Sequence, residues 1–230
     1  MIILKATQEK VLSVLLSVSG IVEKRHTMPI LSNILLHKSG SNIQFVTSDL
    51  EIQIQTSCQL NGDDSDFSTT IGARKIIDVL RSIPSEQTVT LESSQNRVIL
   101  KAGKSRFTLQ TMAAEDFPKV KESSSLGSSF KLPQKTLKQL LNQVSFSMAV
   151  HDIRYYLNGI LFVVEDHEVR IVATDGHRLA YASSTLENSM PKQEVILPRK
   201  TVLELSRLLS DQDGDIEICF ASNQAKFNFN

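Results

Sequence analysis

Arg154-Tyr155-Tyr156-Leu157-Asn158-Gly159-Ile160-Leu161, running on through Val169-Arg170-Ile171-Val172-Ala173-Thr174-Asp175-Gly176-His177-Arg178-Leu179-Ala180, is the stretch from which the fold is read. Its first block reads as a strand, closed by the polar quartet Glu165-Asp166-His167-Glu168 as a turn. A second strand runs to Thr174-Asp175-Gly176, where Asp-Gly permits the positive φ of a tight turn, and a third follows at once. The chain spells the same pattern about 126 residues earlier. Ile30-Leu31-Ser32-Asn33-Ile34-Leu35-Leu36 aligns with Tyr156-Leu157-Asn158-Gly159-Ile160-Leu161-Phe162, and Val46-Thr47-Ser48-Asp49 with Val172-Ala173-Thr174-Asp175, without a gap. Gly72-Ala73-Arg74-Lys75 aligns with Leu197-Pro198-Arg199-Lys200 after a shift of one. Roughly a fifth of positions 4 to 57 repeat identically at this offset, and helix, turn and strand signals coincide with them.

Outward from that stretch the elements fall in the same order twice. Thr7 is an N-cap candidate before a helix whose stripe is Val11, Val14, Leu15 and Val18; Gln134 to Ser145 repeats it with Leu137, Leu140, Leu141 and Val144. Ile30 to Leu36, Ile43 to Thr47 and the alternating Ile52, Ile54 and Thr56 read as strands. A second helix, Ala73 to Ser82, buries Ile76, Ile77 and Leu80 and stops at Pro84. Three strands follow, Thr88 to Glu92, Arg97 to Ala102 and Ser105 to Thr111. The expected fold class is α+β, with tandem domains that each pack two helices on antiparallel β-sheets. The first domain spans 1-122, a serine-rich linker 123-129, and the second domain 130-230. After Asp215 to Phe220 and Ala225 to Asn230 no counterpart of Ser105 to Thr111 remains, so the second copy is expected to lack its last strand and the chain to be a shortened part of a longer protein.

With 41 % hydrophobic and 22 % charged residues in 230, the composition is that of a globular protein, and no apolar run approaches the roughly 20 residues of a bilayer crossing. The start Met1-Ile2-Ile3-Leu4-Lys5 lacks a secretory pattern, so a cytoplasmic protein is expected. Cys58 and Cys219 lie far apart without metal-like spacing and read as reduced, partly buried thiols. Lys+Arg and Asp+Glu balance at 25 each, which leaves open any partner that needs only a local basic face.

Three chemistries fit the residues. Asp175, His177 and Arg178 bring together a carboxylate, an imidazole and a guanidinium suited to acid/base work. The repeat opposes it, because Asp49-Leu50-Glu51-Ile52 keeps the aspartate without the histidine, and no phosphate loop, dinucleotide fingerprint, nucleophile elbow or zinc spacing is present. Basic helix faces, with Arg74, Lys75 and Arg81, Lys135 and Lys138, and Arg199, Lys200 and Arg207, suit phosphates without reading sequence. Leu157, Thr174, Gly176, His177, Arg178 and Leu179, at the ends of adjacent strands, suit a partner peptide.

Arg154 to Gly159, Ala173 to Ala180 and Pro198-Arg199-Lys200 resemble the bacterial DNA polymerase sliding clamps, the beta subunits of DNA polymerase III. So do Met28-Pro29-Ile30-Leu31-Ser32-Asn33, Ser48-Asp49-Leu50-Glu51, and Arg106-Phe107 followed by Asp116-Phe117-Pro118, in order along the chain. The resemblance implies a dimeric ring of three-domain subunits that encircles duplex DNA without sequence specificity, with helices lining the hole. Such a ring tethers the polymerase and has no catalytic residues, no cofactor and no metal. It implies DNA contacts at Arg25, His151, Tyr155, Tyr156, Lys200 and Arg207; His151 stands where similar clamps can carry glutamine, and an imidazole also donates to phosphate. It implies that Arg154, Leu157, Thr174, Gly176, His177, Arg178 and Leu179 form the second-domain half of a groove for short linear motifs of polymerases, clamp loader and repair proteins. Lys75, Arg106, Phe107 and Leu109 match the dimer interface. Ring closure is not expected for a chain of this length, and no membrane partner is expected.

Overall fold

The structure is a computed structural model that describes all residues except 24–26, 122, 124–126, 213 and 230. It divides into two compact units, Met1–Lys121 and Glu122–Asn230.

In the first unit β1 (Ile2–Thr7) leads into α1 (Gln8–Val18), then β2 (Asn33–Ser39), β3 (Asn42–Ser48), β4 (Gln53–Gln59) and β5 (Phe67–Gly72). α2 (Ala73–Arg81) precedes β6 (Thr88–Ser94), β7 (Arg97–Ala102) and β8 (Ser105–Met112). All pairings are antiparallel, in the order β1-β6-β7-β8-β5-β2-β3-β4. β8 pairs with β7 over its length from Ser105 to Gln110, but meets β5 only at Thr70↔Met112 and Ile71↔Thr111. The core lies between sheet and helices: Val11, Leu15 and Val18 of α1 and Ile76, Ile77 and Leu80 of α2 pack with Ile34, Leu36, Ile43 and Phe45. Because side chains alternate across a strand, Leu35 and Val46 point to the other face, where they join Ile30, Leu31 and Phe117 in a separate small cluster.

The second unit starts with β9 (Phe130–Pro133) and α3 (Gln134–Val144), continues through β10 (Gly159–Thr174), β11 (Leu179–Pro198) and α4 (Arg199–Leu208), and ends with β12 (Asp215–Phe220) and β13 (Ala225–Phe229). β12 lies between β13 and β9, and no described strand pairs with the outer edge of β13. β10 is one continuous strand assignment across the Glu165–Glu168 quartet expected to turn. Yet Asp166 is left-handed at φ 50, and Arg170 is ion-paired to Glu165. A straight strand holds residues five apart at about 16 Å and on opposite faces, so β10 doubles back there. The buried set agrees, switching from Ile160, Phe162 and Val164 to Val169, Ile171 and Ala173.

The duplication persists in the backbone at an offset of 126. α1 and α3 begin at Gln8 and Gln134, and the left-handed residues Gly40 and Leu50 recur as Asp166 and Gly176. Asn33↔Gly72 and Gly159↔Pro198 share one register, and Gly72 and Pro198 both precede their helix. The one-residue shift expected there is therefore absent at the helix starts. Two expected strands begin later: Pro29–Ser32 and Tyr155–Leu157 are 3-10 turns, and extended pairing begins at Asn33 and Gly159. Pro29 has no N–H to give a ladder and its fixed φ suits the first residue of a helical turn. Neither cysteine forms a disulfide; burial pushes the Cys58 thiol up.

Candidate functional site

The turn joining β10 to β11 is built by Asp175. Its Oδ1 accepts the N–H groups of His177 (2.9 Å) and Arg178 (3.0 Å), and Oδ2 lies 3.0 Å from Arg178 Nε. Thr174 Oγ1 donates to the Arg178 carbonyl at 2.7 Å and accepts from Gly176 N at 3.1 Å. Gly176, at φ 88, takes the left-handed position. Asp49 does the same work in the first unit, with Oδ1 accepting from Glu51 N (3.0 Å) and Ile52 N (2.7 Å). In that copy Leu50 occupies the left-handed position. The backbone N–H groups of His177 and Arg178, followed by the Arg178 side chain, hold the Asp175 carboxyl below its usual range. A carboxylate so engaged is a weak base, and the turn lies at the surface with His177 and Arg178 exposed. Asp175 is thereby accounted for as scaffold, not as the partner of a catalytic histidine.

A second loop, Met148 to Asn158, closes on this turn. The Asn158 side chain bonds both backbone groups of Asp152, accepting from its N–H at 2.9 Å and donating to its carbonyl at 2.8 Å. Asp152 in turn receives the Arg154 backbone N–H (2.8 Å), Nε (3.0 Å) and a terminal guanidinium nitrogen (2.8 Å). Chiefly through the Arg154 side chain, and then its N–H, the Asp152 carboxyl is held down to about 2. The guanidinium lies over Gly176, where an added Cβ would meet it at 3.2 Å. Arg178 is placed from the other side, 5.5 Å from the centre of the Phe146 ring, a cation–π distance.

The residues expected to form half of a peptide groove thus fall into one neighbourhood. Arg154, Gly176, His177, Arg178 and Leu179 are exposed, and Thr174 is half-buried. Leu157 is the buried base of the 3-10 turn, its carbonyl accepting from Ala149 N at 3.0 Å. Asp152, Asn158 and Phe146, which orient the two guanidinium groups, escape sequence reasoning; the Asp-x-Arg spacing at 152 to 154 is the one visible signal.

Of the residues expected to meet DNA, Arg25 lies outside the described residues. His151 is exposed at φ 58, and Tyr155 and Tyr156 are exposed rings meeting edge-on at 5.9 Å. Lys200 lies half-buried on α4, where Arg207 Nε bonds Glu204 at 3.0 Å. Other helix cations are likewise matched with carboxylates, Lys138 with Asp211 at 2.8 Å and Arg81 with Asp78 at 4.0 Å. Of the residues expected at a dimer interface, Lys75 and Arg106 are exposed and Phe107 is half-buried. Leu109 is buried among the first unit's core residues. Strand alternation turns the Arg106, Thr108 and Gln110 side chains outward and places Leu109 on the same face of β8 as Phe107.

Residues 3–121 match the N-terminal domain of the DNA polymerase III beta subunit, and residues 131–230 match its central domain. The chain is 40 % identical over 223 residues to a protein of Pseudomonas aeruginosa named Beta sliding clamp, covering 95 % of this chain and 60 % of that one. A Beta sliding clamp of Escherichia coli K12 is 39 % identical over 219 residues, with the same coverage. The crystal structure of the DNA polymerase III subunit beta from Pseudomonas aeruginosa superposes with a TM-score of 0.93 at 38 % identity, covering 98 % of this chain and 61 % of that one. A sliding clamp from the same organism bound to griselimycin gives 0.94 at 38 %, covering 99 % and 62 %. The chain therefore spans about 60 % of the length of the curated relatives it matches.

Proposed function

The chain belongs to the DNA polymerase III beta subunit family, and on that premise we propose that it carries the first domain and most of the second of a cytoplasmic DNA sliding clamp. In this reading the clamp encircles duplex DNA as a dimeric ring and tethers the replicative polymerase without chemistry of its own. The observation that carries the proposal is the tandem match of two clamp domains, in order, over nearly the whole chain. The domains divide at 1-122 and 130-230 around a linker.

A ring retained by topology needs mobile, sequence-independent phosphate contacts, and tight ones would stop it sliding. Zero net charge and helix cations matched by carboxylates, as in Lys138 with Asp211, support contacts of that weak kind. His151, Tyr155, Tyr156, Lys200 and Arg207 are the proposed contacts, with Arg25. Arg154, Thr174, Gly176, His177, Arg178 and Leu179, over the Leu157 base, are the proposed half-groove for linear motifs of polymerase, clamp loader and repair proteins. Pre-set guanidinium groups support that use, since a peptide then orders fewer side chains on binding. The Ser105–Gln110 edge of β8, open on its β5 side among the described residues, supports a subunit contact at Lys75, Arg106, Phe107 and Leu109.

Retention on DNA is the test. A polypeptide that continues this chain to the length of its relatives, loaded on nicked circular duplex, should co-elute with it through gel filtration and be lost once the circle is linearised. Equal retention on both forms refutes a topological hold.

A further inference from the structure

β8 changes partner along its length in the first unit. β7 holds it from Ser105 to Gln110, and β5 takes over at Thr111 and Met112. An antiparallel ladder extended back from Thr70↔Met112 and Ile71↔Thr111 would set Gln110 against Gly72 and Leu109 against Ala73. β5 ends at Gly72 and α2 begins at Ala73, so the ladder has no strand on which to continue. The Ser105–Gln110 edge is left open on that side among the described residues, and its placement against β5 depends on the short hand-over at Thr111 and Met112.

One hydroxyl secures that hand-over. Thr70 is 0 % exposed, and its Oγ1 donates to the Met112 carbonyl at 3.1 Å while accepting from Met112 N at 3.3 Å and from Asn33 Nδ2 at 2.9 Å. A hydroxyl has one donor and two acceptor positions, and all three are used. Asn33, itself buried, opens β2, so a single side chain joins β2, β5 and β8. The repeat does not keep it. The positions 126 residues later are Ile196 and Gly159, in the same register as Thr70 and Asn33. Pairing of the two strands therefore does not require the hydroxyl, and what it adds is the tie to Met112.

We propose that Thr70 is a positioning residue for this edge: on the reading of the edge as a subunit contact, its hydroxyl holds β8 in the geometry that a second subunit meets. Thr70 is buried and acts through β8, without touching the partner. An open edge offers a row of unpaired N–H and C=O groups, which a partner can use only where they stand in order. An edge ordered beforehand loses less entropy on association. Thr70→Val keeps the branched shape but removes all three bonds, leaving the polar groups of Met112 without this partner and the end of β8 free to shift. Thr70→Ser keeps the three bonds.

The test is sedimentation equilibrium of the longer polypeptide that continues this chain to the length of its relatives. Thr70→Val should raise the dimer dissociation constant about tenfold, and Thr70→Ser should stay within about twofold of the parent. Val11→Ala, a truncation in the core beneath α1, controls for a general loss of stability and should leave the constant unchanged. Asn33→Leu removes one bond of the three and should raise the constant about threefold, which keeps the test open if Thr70→Val does not fold. A constant unmoved by Thr70→Val or Asn33→Leu in folded protein, or raised equally by Val11→Ala, overturns the proposal. Arg106→Glu separates it from the reading beneath it. A dimer indifferent to Arg106→Glu refutes the edge as a contact and the role of Thr70 with it, whereas a dimer broken by Arg106→Glu yet indifferent to Thr70→Val refutes the role of Thr70 alone.

Discussion

Gln8 and Gln134 open α1 and α3 at equivalent points of the repeat, and both are buried. Their carboxamides are used in opposite senses. Gln8 Nε2 donates to the Leu80 carbonyl at 2.7 Å, whereas Gln134 Oε1 accepts from Ser210 N at 3.1 Å. Glutamate keeps the size and the acceptor oxygen but removes the donor. In Gln8→Glu a carboxylate then faces a carbonyl oxygen that keeps the Ile83 N–H at 3.0 Å: about 1 kcal/mol of hydrogen bond is lost and burying a carboxylate without its donor partner costs roughly 2 kcal/mol more, for a total near 3 kcal/mol at pH 7. In Gln134→Glu the carboxylate still accepts from Ser210, now through a stronger charge-assisted bond that offsets desolvation, and the change should stay within about 1 kcal/mol. Both sites begin a helix, so the favourable effect of the helix dipole is common to the two and cancels in the comparison. The assay is urea unfolding followed by hydrogen exchange of peptides from each unit. Gln8→Glu should lower protection of α1 and α2 much more than Gln134→Glu lowers that of α3 and α4. The new carboxyl at position 8 should have a folded pKa above its unfolded value of about 4.3. Its defect should be full at neutral pH and shrink as pH falls through the raised pKa, where the protonated form can donate to Leu80. Equal losses in the two units, or a larger loss for Gln134→Glu, refute the assigned polarity.

Leu109→Ala should cost about 2–5 kcal/mol as a core truncation, while Arg106→Ala on the same strand stays within about 0.5 kcal/mol; urea midpoints distinguish them. Arg154→Ala should weaken binding of a clamp-loader linear-motif peptide about tenfold by fluorescence anisotropy, the loss of one charge-assisted contact, without changing far-UV circular dichroism. An unchanged affinity removes Arg154 from the groove. Asp152, with its pKa lowered from 3.8 to about 2, contributes its pairing fully above 3.8 and loses it as pH falls through about 2. Carboxylate chemical shifts of Asp152 should therefore stay flat from pH 7 to 4 and move below that. A midpoint near the ordinary value would contradict the ion pair with Arg154.

The helices were legible because their signal is local and repeated: Leu137, Leu140, Leu141 and Val144 share one face of α3, and all four are buried. The Asp175 turn was legible for the same reason, since its hydrogen bonds span three residues. The 3-10 entries at Pro29 and Tyr155 were not, because a short apolar run fits a strand and a tight turn equally well. Leu109 entered the interface set by resemblance, and the alternation Arg106, Phe107, Thr108, Leu109 sets its side chain on the core face of β8. Asp152 and Phe146 were missed because each acts only through a guanidinium placed by folding.

From residues alone came the duplication, the order of its elements, the family and the aspartate that builds each turn. These depend on periodicity and short-range bonding, which a linear pattern carries. Folding decided that the Arg154 guanidinium lies over Gly176, that Gln8 and Gln134 use opposite ends of one amide, and that Phe117 packs on Ile30, Leu31, Leu35 and Val46. Such contacts join segments distant along the chain, and the return of a segment to a given place is set by the packing of the whole unit.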